Sequence, residues 1–155
     1  MEFSDLIKSR HSIRSYAGTP VAPELLEKII AAAELAPSSR NKKPCSFITV
    51  TDRETLARLS EAKAAGSQML KDAAAAIIVA ADSGKSDVWI EDASIAMTYL
   101  HLAASDLGLG SCWIQIRNRN AKDGSDSAEF VKSLFQIKGD MQVLAILSIG
   151  NKVQA

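Results

Sequence analysis

Between Val88 and Leu107 the chain has almost no polar face. Ile90, Ala93, Ile95, Ala96, Met97, Leu100, Leu102, Ala103, Ala104 and Leu107 fit a single helix and spread around nearly its whole circumference. A helix that is apolar all round has to be covered all round, inside a core or against a partner subunit. Gly108 follows it and suits a helix stop, because glycine adopts the left-handed closing conformation at little steric cost. Any fold for this chain is built around that helix.

The other elements arrange themselves about it. Phe3 to Ser9 reads as a short helix, with Ser4 or Glu2 near its start and Leu6 and Ile7 as its apolar side. A second helix starts at Pro23, a residue suited to a first helical position, and buries Leu25, Leu26, Ile29, Ile30, Ala33 and Leu35. It ends at Ala36-Pro37, since the residue before a proline is pushed out of helical geometry. Cys45 to Val50 reads as a strand, and Arg53 to Ala64 as an amphipathic helix capped by Asp52. Ala74 to Ala81 is apolar on both faces, as a strand covered on both sides must be. Ser111 to Ile116 and Val143 to Ile149 are two more strands, separated by a polar stretch from Arg117 to Ser127 and a helix from Ala128 to Phe135. Within the polar stretch, residues 118–124 read as a mobile loop. Four strands interspersed with five helices predict one domain over 1–155, an α+β or α/β sandwich with helices on both sheet faces.

Composition removes several classes of function. Eighteen basic residues balance eighteen acidic ones, so no basic field attracts nucleic acid or an anionic membrane. No apolar run is long enough to cross a bilayer, and Met1-Glu2-Phe3-Ser4-Asp5 lacks the features of a signal peptide. Two cysteines, Cys45 and Cys112, are too few for a disulfide scaffold, and a reducing cytoplasm is the expected location. His11 and His101 are the only histidines and neither stands at metal-ligand spacing, so no metal site is expected.

Three segments carry polar chemistry. In Arg10-His11-Ser12-Ile13-Arg14-Ser15-Tyr16, Arg10, Ser12 and Arg14 share one side if the chain is extended. Arg10 and Arg14 then stand about 13 Å apart, a row that follows a long thin anion. Arginine suits a phosphate because its planar fork donates two parallel hydrogen bonds. Two exposed arginines on a loop also serve solubility alone. The second segment is Ala36-Pro37-Ser38-Ser39-Arg40-Asn41-Lys42-Lys43-Pro44, where small hydroxyl and amide groups can bond a polar ligand or merely form a helix-to-strand turn. The third is Leu107 to Ile116, where two glycines turn the chain from helix to strand. There Trp113 and Ile114 offer an apolar wall, and residues 114–116 offer backbone amides at a strand end. As a bare pattern it is a helix cap followed by a core strand.

Together, and in this order and spacing, the three segments resemble the FMN-dependent nitroreductase family over nearly the whole chain. The resemblance implies a central, mostly antiparallel sheet of about four strands flanked by helices, in an intertwined homodimer with two FMN sites at the subunit interface. It implies that Arg10 holds the phosphate, with His11 beside it on the opposite parity. Ser12 lies along the ribityl chain and Arg14 reaches the pyrimidine edge of the ring. Pro37, Ser38, Ser39 and Asn41 approach from the other subunit, and the backbone around Gln115 faces flavin N5. Trp113 and Ile114 line the site, and Lys152 is the basic residue of the tail. NADH or NADPH is the implied co-substrate, donating a hydride that passes by a ping-pong exchange to a small-molecule acceptor such as a nitroaromatic or quinone. No side chain need act as catalytic acid or nucleophile, because the flavin carries the chemistry and Arg14 tunes it.

This chain departs from the family in several places. Only Asp82 to Asp87 separate the second strand from the long helix, where larger members carry extra helical structure, which predicts a more open site. The tail Gly150 to Ala155 supplies Lys152 alone, and Cys45 stands where many members have tryptophan. Ser67 and Gln68 are weak candidates for a further flavin contact. A flavin-binding or redox-sensing protein without turnover is the alternative function, and a thiol redox protein centred on Cys45 is a third, with Lys42 and Lys43 available to lower the thiol pKa. Cys45 and Cys112 are read as buried strand residues, His101 as a hydrogen-bonded structural histidine, and Glu91 and Asp92 as favourable charges at a helix start.

Overall fold

The structure is a computed structural model and describes residues 1–154. In chain order it contains α1 (Phe3–Ser9), α2 (Pro23–Glu34), β1 (Cys45–Val50), α3 (Arg53–Leu59), β2 (Ala75–Asp82), α4 (Trp89–Asp106), β3 (Gly110–Gln115), α5 (Ser127–Phe135) and β4 (Met141–Gly150). Single 3-10 turns occupy Ser39–Asn41 and Gln68–Lys71. The four strands form one sheet in the order β1-β2-β4-β3, and every neighbouring pair is antiparallel.

Period-two alternation along β2 builds two cores. Ala75, Ile77, Val79 and Ala81 face α2 and α4, while Ala76, Ile78 and Ala80 face α3 and α5. In β4, Leu147 and Ile149 belong to the first core and Ile146 to the second. A register shift opposite Val79 and Ala80 lets Leu144 and Ala145 share the first core, with Val143 in the second. An inserted residue of this kind reverses the parity of everything beyond it.

One face of α4 meets the core through Ala93, Ala96, Met97, Leu100 and Ala104. The opposite face leaves Ile95 and Tyr99 exposed. Phe3, Ile7 and Leu35 are also exposed, and a hollow lined by Phe3, Leu6, Ala32, Tyr99, Leu102 and Ala103 runs between α1 and α4. The helix apolar all round is thus half covered by its own chain. As expected, Gly108 closes it, at φ +79°.

Two expectations need correction. Helix α3 stops at Leu59 and not at Ala64, because Ser60 donates its hydroxyl to the Ala57 carbonyl and the Ser67 hydroxyl takes the Ser60 carbonyl. Both hydroxyls compete with the helical ladder. This use of Ser67, together with Gln68 accepting the Gly66 amide, ties the two weak flavin candidates into a turn. The stretch expected to be a mobile loop is a hydrogen-bonded turn. Ala121 is buried and its amide donates to Ser125, Lys122 donates to the Glu61 carbonyl, and Asn120 bridges Asp126.

The end of β4 receives the N-terminal segment closely. A Cβ on Gly150 would stand 2.6 Å from the Tyr16 ring, and one on Gly110 would stand 2.8 Å from the Ile13 side chain. Tyr16 in turn donates its hydroxyl to the Ile13 carbonyl and pairs with the Ser148 hydroxyl at 2.6 Å. Gly150→Ala is expected to cost about 1–3 kcal/mol through forced displacement of the ring. Urea unfolding measures the loss, and faster tryptic cleavage after Arg10 and Arg14 reports that the segment has come loose.

Candidate functional site

Strand β3 has β4 on one side only, so its other edge is open. Residues 10–16 run along the start of that edge. The Ile13 amide donates to the Ser111 carbonyl at 2.9 Å, and Ser12 forms a parallel bridge with Ser111. Ser111 therefore turns its backbone outward. Backbone groups alternate sides along a strand, so Trp113 and Gln115 turn outward as well, while the Ile116 amide turns inward to the Leu144 carbonyl. Beyond the short N-terminal segment, the amides of Trp113 and Gln115 face the open edge, with no backbone partner there among the described residues.

A groove of about 490 Å³ lies beside this segment, lined by residues 11–15 together with Lys152 and Val153. Tyr16 bridges Lys152, and the Ala17 amide donates to the Asn151 carbonyl, which draws the tail against the early arginines. The described residues form three ion pairs, and none involves Arg10, Arg14 or Lys152. Among the described residues the groove therefore carries positive charge without a paired counterion, and an anion is its natural complement.

The expected row of alternating side chains is not what lines the groove. Only Ser12 and Tyr16 pair with neighbours, so no continuous ladder imposes a pleat on residues 10–16. Consecutive residues face the groove, His11 included, with its Nδ1 held by the Ser9 carbonyl at 2.8 Å. Arg10 is not among the lining residues; its Nη1 lies 3.0 Å from Nε2 of His101 on α4. Ile114 is corrected too. Its side chain is 1% exposed in the core beneath the sheet, so it offers no apolar wall. Trp113 is half-buried on the other face, and its indole donates to the Gln115 side-chain carbonyl. Gln115 spends its amide nitrogen on the Arg117 carbonyl, which leaves its backbone as the part free to meet a ligand.

The second segment lies apart from the groove. Pro37 and Ser38 line a separate cavity of about 340 Å³ with Lys43, Cys45, Phe47 and Asp92, and the two cavities share no residue. Three non-glycine residues here have positive φ, namely Arg40, Asn41 and Lys43. Such strain persists only where surrounding contacts hold it. The Lys43 amide donates to the Ser38 hydroxyl, the Lys43 ammonium to the Ala36 carbonyl, and the Ser39 amide to Asp92 Oδ1 at 2.8 Å. Asp92 Oδ2 accepts the Ser86 hydroxyl at 2.7 Å. Pro37 and Asn41 remain exposed, and Ser39 is half-buried.

Two residues that sequence reasoning assigned only to scaffolding prove central. Asp92 anchors the serine segment, and His101 joins Arg10 to β3 by pairing its Nδ1 with the Ser111 hydroxyl at 2.5 Å. The available signal was a carboxylate and an imidazole on the core stripe of an otherwise apolar helix. Cys45 behaves as a structural thiol. Burial and the nearby Asp92 push its pKa up to about 11, and Lys43 offsets only part of this. It stays protonated near neutrality, which weighs against thiol redox chemistry.

Two predictions follow from these buried groups. Asp92→Leu leaves the Ser39 amide and Ser86 hydroxyl without their acceptor, and urea unfolding should show a loss of about 1–3 kcal/mol. Burial, reinforced by Arg10, lowers the His101 pKa from 6.5 to about 4. The unfolded chain thus binds a proton between those values that the folded chain refuses, so this contribution is whole above pH 6.5 and drains away as pH falls toward 4. From pH 7 to pH 5 the wild type should lose about 2 kcal/mol more than His101→Gln.

Residues 7–68 and 61–151 match the Nitroreductase family. A protein of Archaeoglobus fulgidus, provisionally named an NADH dehydrogenase/NAD(P)H nitroreductase, is 40% identical over 149 residues, covering 94% of this chain and 82% of its own. The FMN reductase [NAD(P)H] of Bacillus subtilis is 31% identical over 88% of this chain and 64% of its own. Among solved structures, an FMN-dependent nitroreductase from Clostridium difficile R20291 superposes with a TM-score of 0.93 at 44% identity, covering 97% of this chain and 87% of the other. The antiparallel sheet, the helices on both its faces and these matches agree: the chain belongs to the Nitroreductase family.

Proposed function

We propose that this protein is an NAD(P)H-dependent flavin oxidoreductase that holds FMN between two copies of itself and reduces an electron-poor acceptor such as a nitroaromatic or a quinone. One observation carries the reading. Outward-facing backbone amides of Trp113 and Gln115 stand on the same sheet edge as a groove whose Arg14 and Lys152 form no ion pair among the described residues. A polar, anionic, planar cofactor fits that donor set.

When bound, FMN would supply the redox chemistry, hydride exchange between NADH or NADPH and the acceptor in ping-pong fashion. The protein's residues hold and tune it. Arg10 and Lys152 offer positive charge to the phosphate, with His11 beside them. Ser12 has a hydroxyl for the ribityl chain. Arg14 favours negative charge at the pyrimidine edge, because a fixed guanidinium stabilises charge that develops beside it. The backbone N–H of Gln115 is a donor for the ring edge near N5, and Trp113 is a flanking apolar surface.

Pro37, Ser38, Ser39 and Asn41 complete the site from the second copy. Within one protomer this segment and the groove line separate cavities. The uncovered apolar side of α4, continued by Phe3, Ile7 and Leu35, is the surface a second copy would cover. No helix among the described residues is long and apolar enough to cross a membrane.

The freshly purified protein should show the two absorption bands of an oxidised flavin. Anaerobic NADH or NADPH should bleach them, and a quinone or nitroaromatic should restore them. A flavin that neither nucleotide bleaches would mean binding without turnover, and a protein that takes up no FMN would overturn the reading. Arg14→Ala should weaken FMN binding about 10–100-fold, the loss of one charge-assisted contact, and lower the flavin potential. An unchanged potential with full flavin would remove Arg14 from that role.

A further inference from the structure

We propose that His101 is a positioning residue for Arg10, holding the guanidinium in place through a neutral acceptor so that its charge remains available to an anion. The proposal rests on the reading that Arg10 meets the FMN phosphate. It comes from a contact across 91 residues of sequence: Arg10 Nη1 lies 3.0 Å from His101 Nε2, and His101 Nδ1 lies 2.5 Å from Ser111 Oγ.

The donor and acceptor roles follow from the chemistry. A guanidinium has only donors, so His101 Nε2 has to accept. The imidazole is then neutral with its proton on Nδ1, and Nδ1–H donates to the Ser111 hydroxyl. Ser111 is also the residue that receives Ile13 and bridges Ser12 through its backbone. His101 thus ties the side chain of Arg10 to the strand that anchors the backbone of the same segment. The imidazole is 7% exposed, and burial together with the adjacent guanidinium opposes its protonation. It therefore remains an acceptor at working pH.

A neutral acceptor does what a carboxylate would not. Asp or Glu in this place would orient the guanidinium equally well, but would cancel most of the charge that a phosphate needs. None of the ion pairs among the described residues involves Arg10. One N–H goes to His101, and the remaining donors, which have no partner among the described residues, suit a planar or tetrahedral anion.

The test compares FMN with riboflavin, which lacks the phosphate, by flavin fluorescence on the full-length protein. His101→Phe should weaken FMN binding about tenfold and change riboflavin binding by less than about twofold. On an Arg10→Ala background the same substitution should add less than about twofold, because its effect runs through Arg10. His101→Gln, which keeps an acceptor oxygen, should recover most of the affinity, and His101→Glu should not. Equal losses for FMN and riboflavin, or full additivity with an Arg10→Ala that itself weakens FMN, would show a merely structural histidine and overturn the proposal alone. Arg10→Ala with unchanged FMN affinity would overturn the phosphate assignment of Arg10 as well. Should His101→Phe fail to fold, nitrogen-15 spectra of the wild-type imidazole decide. An Nδ1-protonated ring supports the proposal, and an Nε2-protonated ring overturns it.

Discussion

Docking of residues 10–16 onto the open edge of β3 is the contact on which the site depends. Strand edges in most proteins are covered or blunted, because their unpaired amides invite other chains. Here Ile13 and Ser12 take up the first outward position of β3, at Ser111, and leave the next two outward positions free. Two glycines make the fit possible. Gly110 leaves room for Ile13 and Gly150 for the Tyr16 ring, and a side chain at either place would push the segment off. The same docking draws in the tail through the bridge between Tyr16 and Lys152, which adds a second cation, beside Arg14, to the groove wall. A side-chain row read from the sequence thus becomes a cationic groove by the way it meets one strand.

Helix α4 connects this arrangement to the rest of the molecule. Its core stripe is mostly alanine, methionine and leucine, but it also buries Asp92 and His101. Burying a carboxylate or an imidazole is costly unless its hydrogen bonds are made. Both are made, and each residue reaches a segment of the candidate site. Asp92 holds the Ser39 amide near the N-terminus of the helix, and His101 holds Arg10 more than two turns further on. The helix therefore sets the spacing between two otherwise independent loops. Strain at Arg40, Asn41 and Lys43 is held through the Asp92 anchor and the Ser38 staple, in a segment whose exposed residues are free for a second copy.

Order and type of the elements were legible from periodicity. The central helix, the apolar strand β2 and the Asp52 cap all stand where the pattern predicts, and the Nitroreductase resemblance holds across the chain. The failures share a cause. The end of α3 depends on the Ser67 hydroxyl finding the Ser60 carbonyl, which only the folded turn brings near. The order in residues 118–124 depends on Glu61 and Ala64, which are distant in sequence. Ile114 was assigned to a wall because alternation alone does not say which face of an edge strand is core.

By itself the sequence determined what local chemistry can determine: which stretches repeat at 3.6 or at 2, where proline and glycine stop them, and which segments are rich in groups that bind anions. Tertiary structure decided what those groups do. Arg10 and Arg14 belong to one short segment, yet one is drawn to a buried imidazole and the other lines the groove, because the segment pairs through single bridges and not through a ladder. The roles of Asp92 and His101 came only from packing, since a polar residue in an apolar helix shows in sequence that it needs a partner but not which one. That choice is made by distance in space: the contacts to Ser39 and Arg10 span 53 and 91 residues of chain.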